Sequence, residues 1–146
     1  MNEIVFLDGG MGTLLQAKGL KPGETPEDWN VERPDDVAAI HRAYVAAGAQ
    51  VVYANTFGAN RLKYHGRHSL EEVIRAGIAA AQDARHGTQD VRIALDLGPT
   101  GRLLKPAGDL DFDEAVAAFA ETIKIATSAS PGPDLIVIET MGDVRE

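Results

Sequence analysis

A parallel α/β fold of repeated βα units is predicted by three observations. Four short apolar runs, at 4–7, 51–54, 91–97 and 135–138, lack the strict alternation of half-exposed strands and read as strands covered on both faces. Apolar residues at helical spacing, with start and stop signals, fill the intervals between them. Asp8, Asn55, Asp96 and Glu139, at or beside the loop ends of the four runs, recur about every 41 to 47 residues, the length of one strand, loop and crossover helix. A parallel arrangement collects such ends on one rim, where α/β proteins build their sites.

Each element has a local reason. Ile4 to Leu7 forms the first strand, and Asp8-Gly9-Gly10-Met11-Gly12-Thr13 turns the chain into a short helix over about 12–18. Gly19, Pro22, Gly23 and Pro26 make 19–33 an irregular excursion, pinned by Trp29. Pro34, Asp35 and Asp36 suit a helix start, Val37, Ile40, Tyr44 and Ala47 supply its stripe, and Gly48 stops it. After the second strand, 55–68 is a long polar loop. Ser69 and Glu72 predict a capping box before a helix that buries Val73, Ile74, Ile78 and Ala81. Asp111 and Glu114 predict another before Val116, Phe119, Ile123 and Ala126, and Pro131 and Pro133 end that helix.

Composition narrows the function classes. The 146 residues are 45% hydrophobic and 25% charged, enough for one core and one domain over 1–146. A formal net charge of -8 opposes binding to nucleic acid or anionic lipid. No apolar run approaches the ~20 residues of a membrane span, and the start lacks a signal-peptide pattern, so the expected setting is the cytoplasm. Without cysteine, the chain has no disulfide, thiolate metal site or cysteine nucleophile of its own.

Four ordered stretches resemble the homocysteine S-methyltransferase family, which comprises the homocysteine-binding domain of cobalamin-dependent methionine synthase and the betaine-homocysteine and S-methylmethionine-homocysteine methyltransferases. They are Leu7-Asp8-Gly9-Gly10-Met11-Gly12-Thr13, Ala47-Gly48-Ala49 leading into Asn55-Thr56-Phe57-Gly58-Ala59-Asn60, Gly98-Pro99-Thr100-Gly101 and Ile138-Glu139-Thr140-Met141. The resemblance implies a TIM (β/α)8 barrel of which this chain matches the N-terminal half, four parallel strands with crossover helices. It implies methyl transfer to the thiol of homocysteine, giving methionine, with zinc as the thiol-activating metal. The donor would be methylcobalamin, betaine or S-methylmethionine. By the same resemblance, the Gly9 and Gly10 backbone approaches the substrate carboxylate, Asp8 and Glu139 face its ammonium group, and Asn55 and Thr56 position them. The family's three zinc-ligand cysteines have no counterpart here, so no catalytic residue and no metal ligand is assigned to this chain. The isolated chain is expected to be inactive and to need a C-terminal half-barrel.

Blander readings compete at several positions. The glycine-rich turn lacks the P-loop lysine and the dinucleotide-binding spacing, which disfavours a phosphate site. Asp96 interrupts an apolar strand, and structural and functional roles both stay open for it. His65 and His68 read as solvated loop residues, because two histidines without a third ligand make a poor metal site. Arg61, Lys63 and Arg67 read as ion-pairing surface. The alternative function is a noncatalytic binding or assembly module that dimerises through exposed strand edges.

Overall fold

A computed structural model describes residues 4–85, 87 and 90–146. In chain order the elements are α1 (Met11–Ala17), a 3-10 turn (Pro26–Asp28), α2 (Trp29–Glu32), α3 (Pro34–Ala46), β1 (Val51–Tyr53), α4 (Leu70–Ala84), β2 (Arg92–Leu97), α5 (Phe112–Thr127) and β3 (Leu135–Ile138). The strands pair in parallel in the order β1-β2-β3. Register runs from Val51 opposite Arg92 to Leu97 opposite Ile138, so every connection is a crossover and the three carboxyl ends share a rim.

One predicted strand is corrected. Residues 4–7 form only an isolated bridge, Leu7 with Val51, so the described residues contain three strands and not four. The Phe6 carbonyl accepts from Gln50 N at 2.8 Å, and Asp8 N donates to the Val51 carbonyl at 3.0 Å. The segment therefore runs beside β1, but it packs too little side-chain surface to extend the ladder. Phe6 is 63% exposed. Burial on both faces holds for β2, whose residues from Ile93 to Leu97 are buried, but β3 is an edge with Ile138 67% exposed.

The main core lies between the sheet and helices α4 and α5, where Val52, Ile74, Ile78, Ile93, Leu95 and Ala126 pack together. Burying each large aliphatic side chain contributes roughly 1.5–3 kcal/mol. A second cluster joins Leu15, Trp29, Val37 and Ile40, and the Arg33 guanidinium lies 4.0 Å from the centroid of the Trp29 ring. Trp29 thus anchors the 19–33 excursion, which contains the 3-10 turn and α2.

Helix starts obey the sequence in one case and depart in the other. Ser69 caps α4 with both reciprocal bonds of the capping box, Glu72 N to Ser69 Oγ at 3.2 Å and Ser69 N to Glu72 Oε2 at 2.8 Å. Asp111 occupies the N-cap of α5 without a side-chain cap bond, because Lys105 Nζ holds its carboxylate at 2.8 Å. Glu114 is taken by Arg102 at 3.1 Å. The buried residues of α5 are Ala115, Ala118, Thr122 and Ala126, whereas the predicted Val116 is exposed. Small residues let α5 sit close to the core, which turns the helix relative to the expected stripe.

His41 on α3 is fully buried, and neither ring nitrogen has a hydrogen-bond partner among the described residues. Burial lowers its pKa from 6.5 to about 4. A base whose folded value is depressed binds fewer protons folded than unfolded, so its contribution to stability falls as pH drops from 6.5 towards 4. The stability advantage of His41→Leu over the wild type should therefore grow by about 3 kcal/mol between pH 7 and pH 4. Urea unfolding across that range measures it, and a pH-independent difference would contradict the assignment.

Candidate functional site

The shared rim opens into a cavity of about 470 Å³. Asp8, Gly9 and Gly10 from the first segment, Glu27 from the 3-10 turn, Tyr53 and Asn55 from the end of β1, Asp96 from β2 and Glu139 from the end of β3 all line it. The predicted Asp8 and Glu139 therefore meet in one space. A larger hollow of about 1010 Å³ beside Arg75, Gln82 and Pro131 lies at the opposite end of the helices, away from the rim where parallel α/β folds place their chemistry.

Backbone pairing positions each acidic group. Asp8 Oδ2 accepts from Tyr53 N at 2.9 Å, which fixes the carboxylate against β1. Glu139 N donates to the Leu97 carbonyl at 3.1 Å, one step beyond the last β3 pair. Thr140 follows at φ 60°, a left-handed angle that is costly for a β-branched residue and marks a sharp exit from the strand. Asp96 lies on the opposite face of β2 from Leu95 and Leu97, which belong to the core. It is only 7% exposed, and its Oδ1 has no partner among the described residues.

Electrostatics single out this cluster. Burial pushes the Asp8 carboxyl up to about 6, with the Tyr53 N–H opposing and the Glu139 charge adding to the rise. Asp96 rises to about 7 through burial, and then through the charges of Glu139, Asp8 and Glu27, with Lys63 partly offsetting them. Glu27 is raised by burial as well, although its carboxylate accepts from Gly58 N at 2.6 Å. Carboxylates gathered with too little positive charge make a site that favours a cationic ligand.

The other predicted residues divide. Asn55 lines the cavity, but its amide donates to Asn30 Oδ1 at 2.8 Å and to the Pro26 carbonyl at 2.9 Å, so it also holds the wall together. Thr56 is absent from the lining; its hydroxyl donates to the Asp96 carbonyl at 2.9 Å and accepts from Asp96 N at 3.1 Å. Gly9 has a packing reason of its own, because a Cβ there would sit 2.9 Å from the Tyr44 hydroxyl, which bonds the Gly10 carbonyl. At Gly58 a Cβ would lie 2.7 Å from Glu27 Oε1, so glycine permits that contact. Sequence reasoning missed Glu27, Tyr53 and Phe57, and left Asp96 undecided. An acidic pair beside a pinning tryptophan was the available signal for Glu27.

Of the residues read as solvated or ion-pairing surface, Arg61, His65 and Arg67 are exposed, His68 is half-buried, and Lys63 is half-buried against the cavity-lining Phe57. His68 Nε2 lies 3.1 Å from Glu32, Arg61 pairs with Glu121 and Arg67 with Glu32, while Lys63 stacks over Phe57 at 4.2 Å. No group of three or more histidine, cysteine, aspartate or glutamate side chains among the described residues is arranged to hold a metal. With no cysteine in the sequence, the residues present do not fit a thiolate zinc site. No described helix is long and apolar enough to cross a membrane.

An acidic, glycine-edged cavity thus lies at the strand ends of a parallel α/β sheet, the place where such folds build small-molecule sites. Residues 5–146 match the family model of homocysteine S-methyltransferase, and the chain belongs to that family. Among solved structures it is similar to the homocysteine methyltransferase MmuM from Escherichia coli. The metallated form matches with TM-score 0.80 and 20% identity, the oxidized form with 0.78 and 22%, and the apo form with 0.70 and 23%. Each match covers 97% of this chain, against 55%, 55% and 51% of the matched chain. The chain thus has their fold and spans about half their length.

Because the Glu139 charge repels Asp8 and Asp96, removing it should stabilise the protein. Glu139→Gln is expected to raise unfolding stability at pH 8 by roughly 1 kcal/mol, the size of a modest carboxylate repulsion. Urea titration at pH 8 checks this, and a loss of stability would show that Glu139 has a stabilising partner.

Proposed function

We propose that the chain is the amino-acid-binding part of a homocysteine S-methyltransferase, equivalent to the N-terminal half of a TIM barrel over residues 1–146. Family membership supports the reaction class, and the meeting of Asp8 and Glu139 in one cavity carries the reading. The two carboxylates would hold the substrate ammonium group, the Gly9 and Gly10 backbone would face its carboxylate, and Asn55 would brace the wall. Thr56 would act one step back, through the Asp96 backbone.

In the complete reaction the S–H bond breaks, the sulfur forms a bond to the methyl carbon, and the bond from methyl to donor breaks. A zinc ion held by ligands outside this sequence would supply thiol activation, lowering the thiol pKa so that its proton passes to solvent. The donor set for it is missing from this sequence, so the part proposed here is binding and orientation. Ligands from a C-terminal half-barrel, together with a donor such as methylcobalamin, betaine or S-methylmethionine, would complete the activity.

Calorimetry should detect homocysteine binding to the chain alone, unchanged by zinc and weakened at least tenfold in Glu139→Gln. Absence of binding overturns the amino-acid reading, and binding strengthened by zinc overturns the assignment of the metal ligands to another polypeptide segment. Methionine formation should require the C-terminal half.

A second reading is favoured by the apolar edges, where Ile4 is 74% exposed, with Phe6 on one side of the sheet and Ile138 on the other. It is a noncatalytic module whose copies pair through those edges. Sedimentation equilibrium separates the two: this reading expects a dimer at micromolar concentration, and a monomer across that range rejects it.

A further inference from the structure

Asp96 is the cavity's least explained group. Its backbone is held on both sides by Thr56 Oγ1, at 2.9 and 3.1 Å, so its position in the wall is fixed. Its side chain is more than nine-tenths buried and lines the cavity, and Oδ1 has no hydrogen-bond partner among the described residues. An unpartnered buried oxygen is destabilising, and a structural carboxylate ordinarily avoids that cost by taking a donor from its own wall. The ionisable and charged groups acting on it are Asp8 on the first segment, Glu27 on the 3-10 turn, Lys63 in the loop after β1 and Glu139 after β3. The pKa of Tyr53, on β1, is raised by burial and then by the charges of Glu139, Asp8 and Asp96.

We propose that Asp96 is a third anchor for the cationic end of the ligand, its unpartnered Oδ1 receiving a primary ammonium group that settles among Asp8, Asp96 and Glu139. Before the ligand arrives the Asp96 side chain rests as the neutral acid. The inference rests on the proposed function and deepens it. In balance, the neutral Asp96 carboxylic acid and the ammonium cation become a carboxylate–ammonium pair, and one proton passes to solvent. No bond to carbon, nitrogen or sulfur changes. The raised Asp96 value, about 7, agrees with this resting state. Tightness for an amine then depends on pH, and an analogue lacking the amine gains nothing from Asp96.

L-Methionine is the probe, because it carries the same charged end as homocysteine without a titrating thiol. Calorimetry on the full chain should show affinity rising about twentyfold from pH 6 to pH 8, about tenfold from the ionisation of a group centred near 7 and about twofold from Asp8 near 6. Asp96→Asn keeps the side-chain shape without the charge and should reduce that rise to about twofold. 4-Methylthiobutyrate, which lacks the amine, should show no rise in either protein. An equal rise in the wild type and Asp96→Asn overturns the inference. Carboxyl NMR of the ligand-free chain gives a second readout. An Asp96 midpoint near neutrality that falls in Glu139→Gln supports the resting state, and a midpoint below 5 overturns it. If neither amino acid binds at any pH, the proposed function fails separately. n-Butylammonium then tests Asp96 alone: a lowered Asp96 midpoint on its addition upholds the inference, and an unmoved one rejects it.

Discussion

Parallel pairing in a single register governs where the chemistry falls. Once Val51 stands opposite Arg92 and Leu97 opposite Ile138, the residues leaving the three strands must emerge on one rim. Asp8 joins them although its own segment is barely a strand, since Asp8 N bonds to the Val51 carbonyl and its carboxylate to Tyr53 N. A slip of one residue in β2 would exchange Asp96 with Leu95 or Leu97, burying a carboxylate in the aliphatic core and turning a leucine into the cavity. The hydrophobic effect on one face of β2 thereby fixes the polar group on the other.

A buried amide knot carries that register into the loops. Asn30 Nδ2 donates to the Asn55 carbonyl at 2.8 Å and to the Val73 carbonyl at 2.9 Å, linking α2, the end of β1 and α4. Asn55 returns a bond to Asn30 Oδ1 and another to the Pro26 carbonyl. The irregular 19–33 segment is therefore seated by Trp29 on one side and by paired amides on the other, and this brings Glu27 to the cavity wall. Satisfied buried amides are directional where apolar contacts are not, so they position the loop more finely than the core does.

Much of this was legible in the sequence for a physical reason. Helical spacing and the Ser69–Glu72 pair are local signals, and α3 and α4 start and stop close to where they indicate. Strand-end recurrence pointed to one rim, and Asp8, Asn55, Asp96 and Glu139 line a single cavity there. What was not legible depends on contacts distant in sequence. Whether 4–7 becomes a strand is decided by neighbours on both sides, and Lys105 and Arg102 draw Asp111 and Glu114 away from the predicted cap. Glu27 and the inward face of Asp96 become visible only once the 3-10 turn and β2 are placed beside the same cavity.

The rim's acidity has a thermodynamic consequence that opposes the core's. Asp8 and Asp96 have folded values raised above the ordinary aspartate value of 3.8, to about 6 and about 7, so the folded chain holds protons that the unfolded chain has released. Their contribution to stability is present at low pH and is lost as pH rises from about 4 to about 7. His41, with its value lowered to about 4, runs in the other direction over nearly the same window. Two carboxyls against one imidazole leave a net loss of stability as these three groups approach neutral pH. A fold selected for stability alone would separate or pair the carboxylates. On the proposed function, a cationic ligand would add the counter-charge that Lys63 supplies only in part, and its binding would return stability lost to repulsion.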